Sequence, residues 1–457
     1  MLVSELSNHT LKDREKQAGL DRVLARTASD CLSANNRAQL PDNIFTQLSQ
    51  TRADLALILV QRLVSRKSAI PECLHLISKA WDTICLFDTS FESALASDDD
   101  RTILYLRTLL KITFLSLKPH ATVAEEAVPQ KSLSGSTSSR PAIVTARSGM
   151  ILDIINKVVF HGFRDIARAI HELPGTSTPE DLALVTGILQ ASLSVPGLEF
   201  CHEQILNAAS NADVSRVATT LFSWSDKLAI EGDPIYGQLS ILFLLELSSV
   251  PSVAEQMALD GVLGQIASSG ITNYLRRPNI SPFSEGVGLQ RCYNIWVRGI
   301  LPLLLNILDA VGSAVACEIA IFLNQFSNLL GNSVNLIDTP SSSTSLSSKA
   351  SPHMCLSTIQ ELSSIALIDY VLKKFRESMR GSIDVPLLKW DAGEVKESVE
   401  WWLSSRAVLR ERIVPLADRE VMWAKSKALD GNSTCKSRLE EMIVGELEDL
   451  RDVLGSE

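Results

Sequence analysis

Three close Cys/His pairs are the first residues to test for chemistry: Cys73/His75, Cys201/His202 and His353/Cys355. Structural zinc requires four convergent ligands, commonly two short-spaced pairs separated by a characteristic gap. Successive residues on a helix point about 100° apart, so Cys201 and His202 face one ion poorly, and His353/Cys355 border a Ser-rich stretch. No structural metal is expected. The segment GVGLQ, from Gly286 to Gln290, is a fragment of a Gly-rich phosphate loop. No strand precedes it and no G-x-x-x-x-G-K-[ST] occurs, so it reads as a loop following RRPNISPFSE. Neither G-x-S-x-G nor H-E-x-x-H is present. The expectation is a chain with no catalytic residues and no cofactor, not an enzyme.

One cluster carries recognition chemistry instead. Trp390, Trp401, Trp402 and Trp423 fall close together near the C-terminus. Trp401 and Trp402 are neighbours on the helix predicted over GEVKESVEWWLSSRAVLRERIV, so their side chains should diverge by about 100°. Both belong to the core only if that helix is covered over a wide arc. Otherwise one lies at a groove, where Trp is a favoured anchor for a partner. Trp401, Trp402 and Trp423 are therefore the candidate partner-binding residues.

The elements that must position them follow from composition. The chain has 457 residues, 46% hydrophobic but only 5% aromatic, with 22 Gly and 17 Pro. Long Leu/Ile/Ala-rich segments with few breakers favour helices, where these residues lose least entropy. The net charge is −10, and no long basic run exists to displace counterions from phosphates, so nucleic acid is not an expected partner. The eight Cys lack paired spacings and read as reduced thiols rather than a disulfide frame. MLVSELSNHTLKDREKQAGL reads as the interior of a helix, not a signal peptide, which suggests a fragment of something longer. No direct membrane span is expected, because the best candidate, ILPLLLNILDAVGSAVACEIAIFLNQF, is interrupted by Asp309 and Glu318.

Helical punctuation is clear. STPEDLALVTGILQASL offers Thr178 as N-cap, Pro179 at the first helical position and Asp181 in the first turn. PDNIFTQLSQTRADLALILVQRLV places Ile44, Leu48, Leu55, Leu59 and Leu63 on one expected face. The last helix carries Leu439, Ile443, Leu447, Leu450 and Leu454 at three-to-four spacing. In LSSVPSVAEQMALDGVLGQIASSG, Pro251 opens a short helix in which Val253 and Met257 share a face, and Gly261 makes a close corner that a Cβ would obstruct. Gly312 separates two further apolar helices. About eighteen to twenty helices with no sheet to cover stack as repeats. The fold class is all-α, a right-handed α-solenoid of degenerate armadillo/HEAT-like repeats.

Two segments rich in Ser, Thr and Pro bury too little apolar surface to offset chain entropy. They divide the chain into N-terminal helical repeats (1–117), a disordered linker (118–141), central armadillo/HEAT-like repeats (142–330), a second Ser-rich linker (331–352) and C-terminal helical repeats (353–457).

LLELSSVPSVAEQMALDGVLGQI (244–266) and LPLLLNILDAVGSAVACEIAIFLNQFSNLL (301–330) resemble the C-terminal region of the large inner-ring scaffold nucleoporins of the 188 type. That resemblance implies a non-enzymatic tail piece of the nuclear pore complex at the nuclear envelope. Its implied partners are other nucleoporins, through linear or helical linker-nucleoporin segments, together with FG-repeat nucleoporins. The alternative is a soluble armadillo/HEAT adaptor or karyopherin-like transport receptor that binds cargo peptides.

Overall fold

The computed structural model describes residues 14–33, 42–65, 70–86, 91–95, 100–126, 141–172, 177–278, 280–338, 353–378, 385–428 and 435–455. Its fold is all-α, of α-solenoid type. Among the described residues there are no strands, only two isolated bridges, Ile230 with Asp233 and Met354 with Ile413. Two compact units partition the chain, residues 1–217 and 218–457.

The first unit opens with α1 (Arg14–Ser33), α2 (Asp42–Val64), α3 (Ile70–Leu86) and α4 (Phe91–Leu95). Next come α5 (Asp100–Glu126), α6 (Pro141–Ile154), a π-helical turn Ile155–Phe160, α7 (His161–Glu172), α8 (Pro179–Leu193) and α9 (His202–Ala212). The helices α1, α2, α3 and α5 pack on one another, and α8 packs on α5. The start of α8 shows why the local sequence folds as it does. Thr178 and Asp181 form a capping box ahead of Pro179, so the cap residues named from the sequence are the ones used. Arg107 of α5 donates two hydrogen bonds of 2.7 Å to the same Asp181 carboxylate. A helix cap thereby becomes a bond between two helices.

One expected face is displaced in part. In α2 the core takes Leu59 and Leu63 as expected, together with Phe45, Ala53, Ala56 and Val60, whereas Ile44 is 49% and Leu55 46% exposed. The run LALILV is apolar on all sides, so periodicity alone could not select the inner face. The helix α5 continues through Lys118 to Glu126, with Pro119 inside it, and the first segment read as a linker therefore begins within a helix. Residues 127–140 of that segment lie outside the described residues, as do 339–352 of the second.

The helix α10 (Val214–Ser223) spans the unit boundary. The second unit continues with α11 (Ile235–Ser248), α12 (Pro251–Leu259), α13 (Val262–Ser268), α14 (Gly270–Leu275) and α15 (Val287–Ile295). A π-helical turn, Trp296–Ile300, leads into α16 (Leu301–Val311), followed by α17 (Ser313–Asn324), α18 (Ser327–Leu336) and α19 (Leu356–Ser378). The chain ends on α20 (Ala392–Ser404), α21 (Arg406–Arg412), α22 (Asp418–Lys425) and α23 (Arg438–Gly455). Val287–Val311 is a continuous run of 25 residues with the length and apolar content of a membrane span. It packs against α11, α12, α17 and α19, and 56% of its apolar window is buried inside the protein, as in a core helix.

The corner after α12 forms as the sequence suggests, for a different reason. Gly261 takes φ +69° and Gly312 φ +70°, but no atom lies within 4 Å of where a Cβ would be at either position. The glycines are needed for the left-handed backbone, not for a close approach. Val253 and Met257 share the buried face of α12, and the stripe Leu439, Ile443, Leu447, Leu450 and Leu454 of α23 is wholly inside.

Candidate functional site

One candidate surface for another molecule lies on α12, α16 and α17. These helices meet at an open groove of about 400 Å³ lined by Ala258, Leu259, Val311 and Ala314, with Glu255 and Glu318 among its walls. Leu259 is 81% exposed at the end of α12. It falls off the Val253/Met257 stripe because six residues carry a helix about 240° round its axis. The backbone stops there, at Asp260 and the left-handed Gly261, so the leucine is held at a rigid helix end. Ile321, one turn beyond Glu318 on α17, is 51% exposed. A second trough of about 390 Å³ runs along the other side of α16, between Leu305, Leu308, Asp309, Leu367, Val371 and Phe375. Apolar floors with acidic walls suit an amphipathic segment whose flanks are basic.

The tryptophans divide. Trp402 is fully buried in the core formed by α19, α20 and α23, and its Nε1–H donates to the Ile337 carbonyl at 2.6 Å. It has no face to offer a partner. Trp401 is half-buried and meets Trp402 edge to face, with centroids 4.8 Å apart and planes at 88°. Although adjacent on the helix, the two rings touch instead of diverging. Trp423 is half-buried on α22, with the guanidinium carbons of Arg419 and Arg438 at 4.6 and 5.5 Å from its ring. Of the three candidates, Trp401 and Trp423 keep accessible surface. Val395, Val399 and Trp402 recur at four and three residues, all buried, and that spacing was the signal that selects Trp402 as core.

The Cys/His pairs do not converge. His75 contacts Ser29 at 3.4 Å, the His353 ring lies 5.8 Å from that of Phe283, and the Cys355 thiol donates to Thr358 at 3.7 Å. Among the described residues no three His, Cys, Asp or Glu gather to hold a metal ion. Burial pushes the thiols of Cys73 up to about 12 and of Cys292 and Cys355 up to about 11. They stay protonated at neutral pH and are poor nucleophiles.

Sequence reasoning missed a buried carboxylate. Glu361 of α19 is 1% exposed and accepts hydrogen bonds from Tyr293 Oη at 2.6 Å and Trp296 Nε1 at 2.8 Å. Burial raises its pKa to about 7, although the two hydrogen bonds pull the other way. It pins α19 to the π-helical turn after α15. Nearby, Arg298 of that turn reaches Ser357 at 3.3 Å and Glu420 at 3.7 Å. This polar network positions α19, one wall of the second trough.

Comparison with known proteins shows the family. The family described as nuclear pore protein NUP188 C-terminal domain matches residues 76–454. Nucleoporin NUP188 of Chaetomium thermophilum is 41% identical over 99% of this chain, which covers 25% of that protein's length. Nucleoporin nup184 of Schizosaccharomyces pombe is 24% identical over 76% of the chain, covering 20% of its length. The chain thus spans about a quarter or less of these relatives. Among solved structures, Nup188(aa1445-1827) from Myceliophthora thermophila superposes with a TM-score of 0.70 at 43% identity, covering 84% of this chain and 98% of that one. On both sequence and fold, the chain belongs to the NUP188 family of nucleoporins and matches its C-terminal domain.

Proposed function

We propose that this chain is a non-enzymatic scaffold piece of the inner ring of the nuclear pore complex, and that it captures a linear or helical segment of another nucleoporin. The observation that carries the reading is the groove at Leu259, an apolar floor between packed helices with Glu255 and Glu318 exposed beside it. A short amphipathic helix would lay its apolar anchors along Leu259, Val311 and Ala314 and turn basic residues towards the two carboxylates. Burying one leucine contributes about 2 kcal/mol, so a single groove holds a short segment weakly. Stable residence requires several such contacts on one partner. Trp401 and Trp423 are proposed as a separate contact surface on the α20–α22 face.

The test is binding of synthetic peptides tiling the linker nucleoporins, measured by fluorescence anisotropy on the wild-type chain and on Leu259→Ser and Glu255→Lys/Glu318→Lys. All three positions are exposed, so the variants should fold normally. At least one peptide should bind, and each variant should weaken it tenfold or more. Equal binding to all three proteins would place capture elsewhere. Binding instead to the GTP form of the small GTPase that drives transport would favour the transport-receptor alternative.

A further inference from the structure

A different part of the second unit carries an unsatisfied polar constellation that the groove does not use. A cleft of about 320 Å³ opens between the segment after α10, α14 and the start of α15. Asp226 lies in its wall, and the Oδ1 atom is closed off from solvent with no hydrogen-bond partner. The carboxylate makes no ion pair among the described residues, so its charge is open to a donor that enters the cleft. Asp233, next to the lining residues Gly232 and Pro234, is already satisfied by two 2.8 Å hydrogen bonds from Arg291. On the outer rim Arg277 is exposed. Its guanidinium rests on the Tyr274 ring at 4.3 Å, and it makes no ion pair among the described residues.

Glycines shape the walls. Gly232 and Gly286 have φ of +81° and +103°, and both line the cleft with Gly288. A Cβ at Gly270 would overlap the Asp226 carboxylate, and one at Gly288 would overlap the Gly232 carbonyl. Both close approaches are within the chain: Gly270 seats the Asp226 carboxylate and Gly288 the Gly232 carbonyl, which fixes the cleft wall. Ile271 and Leu289 supply apolar wall for an aliphatic stem. The thiol of Cys292, also in the wall, is protonated through burial, so occupation is non-covalent.

We infer that this cleft is a second recognition site, which takes the Lys or Arg side chain of a linear peptide segment from a partner chain. The cationic head meets the cleft-facing side of the Asp226 carboxylate, the aliphatic stem lies on Ile271 and Leu289, and Arg277 takes a peptide carbonyl or a neighbouring acidic side chain of the same segment. The inference goes beyond the groove reading and does not depend on it. A compact cation on a flexible stem suits a single unpaired carboxylate, and the guanidinium on the rim sets the direction of the peptide.

The experiment selects a phage-displayed random decapeptide library on the whole chain, with counter-selection on Asp226→Asn, and measures the enriched peptides by anisotropy. The expected result is a consensus with Lys or Arg at one fixed position. Replacing that residue by norleucine, or the protein's Asp226 by Asn, should weaken binding tenfold or more. Arg277→Gln, an exposed change that leaves folding intact, should weaken it about threefold or more and keeps the test valid if Asp226→Asn misfolds. Leu259→Ser should leave these peptides bound, which separates this site from the groove. No enrichment, a consensus without a basic residue, or equal binding to a folded Asp226→Asn and to Arg277→Gln would overturn the inference.

Discussion

Replacing Glu361 by Gln isolates the energetics of the buried carboxyl. Glu361 has its pKa raised from 4.5 to about 7, so between these values the folded state holds a proton that the unfolded state has released. Stability therefore falls as pH rises through this window, the reverse of the usual acidic pair. At about 1.4 kcal/mol per pH unit, the full cost of ionising the group in place approaches roughly 3 kcal/mol by pH 8. Glutamine copies the protonated form: its carbonyl accepts from Trp296 Nε1–H and its amide donates to the Tyr293 oxygen. Glu440 contributes with the opposite sign. Burial pushes its carboxyl up, but hydrogen bonds from Arg410 and from the Lys436 N–H outweigh that and hold the pKa below 4.5. Its stabilisation is present above the unfolded pKa and is lost as the solution becomes more acidic, in the wild type and the variant alike. Urea unfolding followed by Trp fluorescence at intervals from pH 4 to 8 gives the difference between Glu361→Gln and wild type. That difference should be near zero at pH 4 and grow to about 3 kcal/mol in favour of the variant at pH 8. Parallel curves would refute the reasoning. A variant less stable at every pH would show that the ionised carboxylate, fully hydrogen-bonded, is the stabilising form.

Trp402→Ala should cost about 3–5 kcal/mol, because it empties a fully buried site and strips the Ile337 carbonyl of its donor; Trp401→Ala should cost about 1 kcal/mol. Thermal unfolding read by circular dichroism checks both, and an unchanged Tm for Trp402→Ala would contradict its burial. Gly299→Ala puts a Cβ 2.5 Å from Ile241 Cγ2 in the core and should destabilise by about 1–3 kcal/mol. Gly445→Ala, where nothing lies within 4 Å, should raise stability by about 0.5–1 kcal/mol, and equal Tm shifts in the two variants would count against the packing around α11. Arg107→Ala should cost about 3 kcal/mol, because it leaves the Asp181 carboxylate, 2% exposed, with only its capping contacts; guanidinium midpoints measure it.

What could be read from the chain without coordinates was set by sequence distance. The Thr178-Pro179-Asp181 start and the five-residue stripe of α23 are local, and each was legible because caps and apolar period act within a few residues. The contact from Arg107 to Asp181 crosses 74 positions, and those from Tyr293 and Trp296 to Glu361 cross 68 and 65. No local pattern reports such pairs, and Glu361 in TIQELSS looks like any polar residue on a solvated helix face. The π-helical turns at Ile155–Phe160 and Trp296–Ile300 shift the helical phase. A wheel drawn at a constant 100° per residue loses its register across them.

The groove was illegible for a related but opposite reason. Residues that serve the core repeat because packing imposes the period, while residues of the proposed groove need only be exposed. Leu259 obeys no stripe, and that is its signature: an apolar side chain about 240° from Val253, on a helix ended by Asp260 and Gly261. Leu367 is a further large apolar residue exposed on a helix of the same unit, at 40%, and it lines the second trough beside α16. Isolated exposed apolar residues are common and carry no meaning singly. Here two of them line the troughs beside α16, whose walls include Glu255, Asp309 and Glu318. In a stack of helical repeats, then, apolar residues off the core stripe gain meaning where folding gathers them beside unpaired charge of one sign. The chain order that separates Leu259 from Leu367 by more than a hundred residues is what hides the gathering from the sequence.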